Sequence, residues 1–461
     1  MRPAEKQNEE EIKTVVGYSR TLVVGLGATG LSVARFLASG DKDVLVIDSR
    51  SRPPGLFDLQ CSCPEIPIIT DSLNIDWLRG ISQVVLSPGL SLETPIVIEA
   101  RRLGIPVISD IELFAQNVNA PVIAVTGSNG KSTVVSLLES ALSAAGQKTA
   151  AGGNLGPPAL DLLSTNIQTY LLEISSFQME TTETLNPIAV AVLNLSPDHL
   201  DRHKSFDRYV YLKSKLARLA ETLIFNWDDS LVRKMAETHP RAIPFSVCEE
   251  LKCGYSSVKF EGERWLCKDG IPLLRAADLP FPGKHNEANA LAALALSSVV
   301  EESKLQLQLQ ALREFSGLPH RCQRVAQTKE IVFVNDSKGT NVAASVAAIQ
   351  GVPGPLVLIA GGRSKGADFY PLLEVSEDRL VAVVAIGEAA FELKEVFSKR
   401  VPVLVATKMS EAVVYAIQFA EAAKEFPVTV LMSPACASFD MFADYKERGE
   451  AFIAAVKEQL Q

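Results

Sequence analysis

No apolar stretch in this 461-residue chain is long enough to span a bilayer, and its first residues, with Glu5, Lys6 and the acidic run Glu9 to Glu11, contain no apolar segment fit for a signal peptide. A cytosolic protein that does not meet the membrane is the expectation. Basic excess is missing as well. With 45 Lys and Arg against 54 Asp and Glu the net charge is -9, which excludes a general nucleic-acid binder, because covering a phosphate backbone takes a basic patch. Any anionic ligand must therefore meet local cations. The 7 cysteines (Cys61, Cys63, Cys248, Cys253, Cys267, Cys322, Cys436) are odd in number and lack paired C-x-x-C spacing, so neither a disulfide framework nor a zinc site is indicated. Charged residues are only 21% of the chain against 47% hydrophobic, enough to build cores, and the length suggests roughly three domains.

What is present is an alternation of strand-length apolar runs with longer amphipathic stretches, which predicts parallel α/β layers. The sharpest feature is Thr126-Gly127-Ser128-Asn129-Gly130-Lys131-Ser132-Thr133, between the apolar run Pro121 to Val125 and a helical pattern from Val134 to Ala145. Strand, glycine loop and helix in this order form a phosphate loop. Backbone N–H groups around Gly127 and Gly130 can face phosphate oxygens, Lys131 supplies a point charge, and Ser132 offers a hydroxyl to Mg²⁺. The loop is a shortened one, since the full pattern would need glycine where Val125 stands. A second glycine turn, Gly25-x-Gly27-x-x-Gly30, follows the strand pattern Thr21 to Leu26, and Asp48 ends the next strand. It has the form of a dinucleotide fingerprint, but by itself it guarantees only a tight strand-to-helix turn.

Polar, proline-terminated Gln116 to Pro121 marks one boundary and Ser316-Gly317-Leu318-Pro319 another, giving expected domains 1–117, 118–318 and 319–461. Further strands are predicted near Tyr170 to Glu173, Ile188 to Asn194, Ile331 to Asn335, Leu356 to Ala360, Val381 to Ile386 and Thr429 to Met432. Helices are predicted over Tyr209 to Ala220 and Asn286 to Val300, with a small β-rich excursion reaching about Leu279.

Along the chain, in order, come Gly152-Gly153-Asn154-Leu155-Gly156, Glu173-Ile174-Ser175-Ser176-Phe177-Gln178, Asp198-His199-Leu200-Asp201-Arg202, Lys215, His285-Asn286-x-x-Asn289 and Leu318-Pro319-His320-Arg321. Asn335-Asp336-Ser337-Lys338-Gly339-Thr340-Asn341 and Ser433-Pro434-Ala435-Cys436-Ala437-Ser438-Phe439-Asp440 follow. In this order the segments resemble those of the Mur ligases over nearly the whole chain. The phosphate-loop and Asn-Asp-Ser-Lys-x-Thr-Asn segments look like those of the family's D-glutamate-adding branch. The resemblance implies an α/β protein of three domains: a Rossmann-like N-terminal domain, a central P-loop ATPase-type domain and a C-terminal Rossmann-like domain. It also implies a monomeric cytoplasmic enzyme of peptidoglycan precursor synthesis whose partners are small molecules: UDP-N-acetylmuramoyl-L-alanine, D-glutamate and ATP, with Mg²⁺.

The chemistry so implied runs through an acyl phosphate, which needs charge neutralisation and positioning rather than a covalent nucleophile. By the same resemblance Lys131, Glu173, His199 and Lys215 are the catalytic candidates. Ser132, Glu173, His199 and a carbamylated Lys215 would surround magnesium. ATP would take Gly127, Ser128, Asn129, Gly130, Lys131, Ser132 and Thr133, with Asn289 near adenine and Arg321, Asp336 and Lys338 reaching from the third domain. The UDP-sugar would take Gly27, Thr29, Asp48, Ser49, Arg50, Ser87, Gly89, Asn154, Gln178 and His199. D-Glutamate, with two carboxylates, would take Thr340, Lys365, Ser438 and Phe439. Lys215 is favoured for carbamylation because it completes Tyr-x-x-x-Lys from Tyr211; a carbamate needs a neutral amine, and the bland alternative is that Lys213 and Lys215 are two solvated helix lysines.

Gln323, and Arg363-Ser364 before Lys365, depart from the family's usual pattern. His199 and His203 stand at i, i+4 without the glutamate of a metalloprotease, so zinc is not the reading. Cys436 reads as a small buried filler. Rivals are a sibling ligase with another amino acid, a folate polyglutamate ligase, which lacks the Gly25-Gly27-Gly30 and Asp48 constellation, and a non-catalytic nucleotide-binding module. Such a module needs no Glu173, His199, Lys215 and Asp336 together.

Overall fold

The computed structural model describes residues 20–154, 156–280, 283–364, 366–376 and 378–460. Lys365 and the acidic N-terminal run lie outside the described residues, as do Leu155 and the side chain of Asp201. The chain divides into two compact units, Met1–Ala120 with Ala150–Asn186, and Pro121–Thr149 with Pro187–Gln461.

The first unit carries a parallel sheet of β1 (Arg20–Val24), β2 (Val44–Ile47), β3 (Ile68–Ile69), β4 (Ile81–Leu86) and β5 (Val107–Ile108), in the order β3-β2-β1-β4-β5. Central strands buried on both faces read as continuous apolar runs, and Val44–Ile47 is buried throughout. The order reverses beside β1, and there the glycine turn leads into helix Ala28–Ser39. Gly30 has no alternative: a Cβ there would stand 1.8 Å from the Gly25 carbonyl oxygen. Later chain fixes this helix, since Ser32 donates to the Asp161 carboxylate at 2.6 Å. The same returning segment supplies Glu183 and Thr184, whose amides donate to Glu112 at 2.6 and 2.9 Å.

In the second unit β6 (Val122–Thr126) feeds the phosphate loop, while β7 (Thr149–Gly153) and β8 (Thr169–Glu173) lie mainly and wholly in the first. Beside β6 run β9 (Ala189–Val192), β10 (Thr222–Asn226) and β11 (Ala242–Ser246), all parallel. The β-rich excursion is then β12 (Tyr255–Phe260), β13 (Glu263–Lys268) and β14 (Ile271–Arg275); β12 and β13 form an antiparallel hairpin through Glu261 and Gly262, both at positive φ. The last sheet has the order β15-β16-β20-β17-β18-β19, from β15 (Gln323–Gln327), β16 (Ile331–Asn335), β17 (Leu356–Gly361), β18 (Leu380–Ile386), β19 (Val403–Ala406) and β20 (Val428–Met432). Only β15 is antiparallel, at the edge. Two apolar layers cover it, one around Leu358, Leu393 and Phe397, the other around Ile359, Val413 and Phe452.

Candidate functional site

The phosphate loop is pinned from beneath before any ligand is considered. Gly127 (φ 149°) and Gly130 (φ 85°) take backbone conformations that side chains resist, and a Cβ on Gly130 would meet the Asn289 side chain at 2.5 Å. Asn194, just past β9, accepts from the Asn129 amide at 2.8 Å and donates back to the Asn129 carbonyl at 3.1 Å. Ser128 spends its hydroxyl on Tyr209 at 2.8 Å and on the Ser196 backbone, so it shapes the loop through internal bonds. Lys131 Nζ donates to the Gly127 and Ser128 carbonyls at 2.9 and 3.0 Å. Helix Lys131–Ala144 starts here, and no acidic residue in its first turn opposes an anion at its positive end.

The solvated-pair reading of the two helix lysines is corrected for Lys213. On helix Phe206–Leu219 that residue is buried, and its Nζ donates to the Thr126 hydroxyl at 3.2 Å and the Gly127 carbonyl at 2.9 Å, over the Tyr209 ring. Tyr209-x-x-x-Lys213 has the same spacing as Tyr211-x-x-x-Lys215. Two residues make about 200° of helical turn, so one lysine of the two points inward where the other is half-buried.

The last sheet contributes to the same cavity. Arg321 Nη2 donates to the Ser132 hydroxyl at 2.6 Å, Asn129 and Asn341 share side-chain hydrogen bonds, and Asn341 donates to Asp198 at 3.1 Å. Asp336, one residue past β16, accepts from the Ser433 hydroxyl at 2.7 Å and the Cys322 amide at 3.2 Å; burial outweighs those bonds and pushes its pKa up to about 6. Lys338 lies over the Tyr445 ring, 3.8 Å from its centroid. Of these residues Asn129, Arg321, Cys322, Asp336 and Lys338 line a cavity of about 410 Å³, with Gly130, Thr133 and Asn289 among others. A cavity of this size, apolar for the most part and with cations at one wall, fits a nucleotide.

His199 takes the left-handed conformation (φ 52°) at the cap of the short helix Leu200–His203, with its Nε2 3.6 Å from Asp198. The buried His203 beside it is held neutral, burial and neighbouring cations lowering its pKa to about 4. Of the amino-acid candidates, Ser438 is buried, Phe439 is 65% exposed and Thr340 lies between. Sequence reasoning missed Arg448. From helix Tyr445–Gln459 this buried guanidinium donates to the Ser337 hydroxyl and carbonyl and to the Cys436 carbonyl at 2.8 to 3.0 Å, tying two motif loops together. Cys436 is a buried filler as expected.

In the first unit, Asp48 is buried at the end of β2. It accepts from the Leu26 amide at 2.7 Å and, bidentately, from Arg50 at 2.7 and 2.9 Å; burial raises its pKa, but these bonds win and leave it below the usual carboxylate range. Ser49, Arg50 and Gly89 are exposed around it, with Gly27, Thr29 and Ser87 partly so. Glu173, buried at the end of β8, accepts from the exposed Asn154 at 2.5 Å. Gln178 is buried, its amide oxygen taken by Ser175 and its nitrogen donating to Asp110 at 3.2 Å.

Three α/β sheets, with a phosphate loop held by internal hydrogen bonds beside a cavity that Arg321 and Asp336 help to line, have the form of a nucleotide-binding enzyme. Residues 19–109 match the Mur ligase MurD-like N-terminal domain and residues 125–297 the Mur ligase middle domain. The UDP-N-acetylmuramoylalanine--D-glutamate ligase of Nitrosococcus oceani is 47% identical over 95% of this chain and 97% of its own length, and that of Methylococcus capsulatus is 43% identical over 95% of both. The chain belongs to the Mur ligase family. Among solved structures, the UDP-N-acetylmuramate-alanine ligase of Thermotoga maritima matches with a TM-score of 0.62 at 19% identity, over 95% of this chain and 99% of that one, which speaks for the fold alone.

Proposed function

We propose that the chain is an ATP-dependent, ADP-forming ligase that adds D-glutamate to UDP-N-acetylmuramoyl-L-alanine in the cytoplasm, as a step of peptidoglycan precursor synthesis. The observation that carries this reading is the 47% identity to a relative of that name along nearly the full length of both chains. The N-terminal 1–117 region would bind the UDP-sugar, 118–318 ATP, and 319–461 the amino acid, in a protein that acts as a monomer.

In the first step an oxygen of the alanyl carboxylate attacks the γ-phosphorus, the bond to the β,γ-bridging oxygen breaks, and ADP leaves. In the second the neutral amine of D-glutamate attacks the acyl carbon, the carbon–oxygen bond to phosphate breaks, and the nitrogen gives up a proton to the departing phosphate, which leaves as inorganic phosphate while the amide forms. Both steps bring anions together, so cations set the rate. Loop amides from Gly127 to Thr133 hold phosphate oxygens, and Lys131 leaves its carbonyl partners for them. Arg321 approaches from the third region; Asp336 and Lys338 support it, and Asn289 borders the base.

Mg²⁺ at a nucleotide is held by one or two protein oxygens plus phosphates and waters rather than by a protein cage. Among the described residues no cluster of three His, Cys, Asp or Glu is built for a metal, and the hydroxyl of Ser132 beside the loop is the kind of donor this ion takes. Ser132, Glu173 and His199 would hold it, and when bound it neutralises phosphate charge. For the lysine carbamate the favoured residue becomes Lys213 in place of Lys215, because burial favours the neutral amine that CO₂ attacks and its nitrogen already reaches the loop. Asp48 would act through the Leu26 amide and Arg50 it fixes, alongside Gly27, Thr29, Ser49, Ser87 and Gly89, on the uridine and diphosphate; Asn154, Gln178 and His199 would guide the sugar end. Thr340, Lys365, Ser438 and Phe439 would take the two D-glutamate carboxylates.

The test is phosphate release with ATP, Mg²⁺ and UDP-N-acetylmuramoyl-L-alanine. Release should require D-glutamate and fail with L-glutamate; equal turnover with L-alanine or a diamino acid would transfer the chain to a sibling reaction.

A further inference from the structure

The hairpin of β12 and β13 presents an arginine that bonds to its own hairpin at Ser257 and reaches out to two segments that border the cavity. Arg264 donates through Nε and Nη2 to Glu287 at 3.0 and 2.8 Å, and through Nη2 to the Val247 carbonyl at 3.0 Å and to Ser257. Ser257 also donates to Glu287 at 2.5 Å. Glu287, 11% exposed in its side chain, sits in the first turn of helix Lys284–Val300, whose Lys284, Asn286 and Asn289 line the cavity. Val247 lines it as well, and its amide donates at 2.7 Å to Asp228, another lining residue. One guanidinium therefore bridges two cavity walls, the strand-end loop at Val247 and the start of the helix that carries Asn289, without itself lining the cavity.

We infer that Arg264 is a positioning residue for the nucleotide, and that the hairpin sets ATP affinity by holding the Val247 loop at a fixed separation from the helix bearing Asn289. The inference rests on reading this cavity as the ATP site. A planar fork of five donors holds a carboxylate and a carbonyl in a fixed relative geometry, where a lysine's compact ammonium on a flexible stem fixes their separation less rigidly. Among the described residues Arg264, Ser257 and Glu287 make no hydrogen bond to the phosphate loop, so loss of the bridge should weaken binding far more than it slows chemistry.

The experiment compares R264M and R264K with the unaltered protein, by direct titration with ATP and by steady-state kinetics with each substrate varied. R264M should raise the Kd and KM for ATP about five- to tenfold, a coupling of ordinary size for a residue outside the site, with kcat at saturating ATP and the KM for D-glutamate and the UDP-sugar within about twofold. R264K should fall between. A general loss of packing would instead lower kcat or raise every KM alike, and that outcome overturns the inference, as does unchanged ATP affinity in R264M. Where R264M does not fold, R264K decides, and unchanged affinity there is equally fatal. Failure of the unaltered protein to bind ATP at all would sink the ATP-site reading itself, a result distinct from these.

Discussion

The chain makes the same turn twice, strand to glycine to helix, at Gly25–Gly30 and at Gly127–Gly130, and surrounds the two turns differently. At the first, sterics does most of the work: the Gly25 carbonyl leaves no room for a Cβ on Gly30, and one buried carboxylate, Asp48, collects the Leu26 amide and Arg50. At the second, polar groups crowd in from helices and strand ends, with Asn194, Tyr209, Lys131 and Lys213 all bonded to loop atoms. The two glycine turns are therefore told apart less by their glycines than by the polar groups held around them. The heaviest blow to this contrast comes from Lys131→Ala. Removing a cation beside a transferring phosphoryl group should cost about 10²- to 10³-fold or more in turnover, measured as phosphate release, while Arg50→Ala in the first turn should act on the KM for the UDP-sugar. Near-normal turnover in Lys131→Ala would take the loop out of the mechanism.

Next in size is the contest between the two helix lysines. Lys213→Ala should lose about 100-fold in activity, a value in the range for one lost electrostatic contact, and acetate, entering the space with an anionic oxygen, should restore part of it. Lys215→Ala should stay within a few-fold. Lys213→Arg cannot form a carbamate and should remain inactive. A severe, acetate-rescued defect at Lys215 with a mild one at Lys213 would reverse the assignment.

That contest also marks what the sequence could say. The phosphate loop, the first glycine turn and the apolar strands of the last sheet, such as Ile331–Asn335 and Val428–Met432, were legible because local pattern and burial agree there. The choice between Lys213 and Lys215 was not, since both complete Tyr-x-x-x-Lys and only the rotation of the helix tells them apart. Leu305–Glu314 was not recognised as a helix either. Its Leu-Gln-Leu-Gln-Leu-Gln start alternates like a strand, yet it folds as a helix burying Gln308, Leu309 and Leu312, with Gln308 bonded to Ser297 and to the Glu301 carbonyl. Tertiary contacts override local period at such a site. Arg448 and Arg264 carry no motif at all; they matter through what folding brings to them.

Within the first turn the comparison sharpens by separating its glycines. Gly30→Ala forces a Cβ into backbone and should destabilise the protein by about 2–3 kcal/mol, the scale of overpacking. Gly27 has φ -89° and nothing within 4 Å of an added Cβ, so Gly27→Ala should melt near the unaltered protein and act on UDP-sugar affinity, if this is where the ligand's backbone approach occurs. Equal melting temperatures for the two variants would show that sterics does not shape this turn.

The smallest effect concerns the carboxylates of the first unit, Asp48 and Asp110: burial raises the pKa of both, but only Asp48 has bonds strong enough to bring it down again. Asp48 has Arg50; Asp110 has the neutral Gln178 on one oxygen and no hydrogen-bond partner on the other, and burial drives its pKa from 3.8 up to about 6. A carboxyl whose pKa is raised by folding holds its proton more tightly in the native state, so its contribution is intact below pH 4 and is lost as pH rises through about 6. Two pH units correspond to about 3 kcal/mol at most, and water reaching the site would reduce this. Asp110→Asn, neutral at every pH, should therefore stabilise the protein by about 1 kcal/mol at pH 8, a part of that linkage, and the advantage should vanish near pH 4. Chemical denaturation of both proteins at pH 4, 6 and 8 measures it. A variant equally destabilised at all three values would mean that Asp110 is held as a charged partner of its surroundings, and that the first unit, like the second, builds its interior around ions.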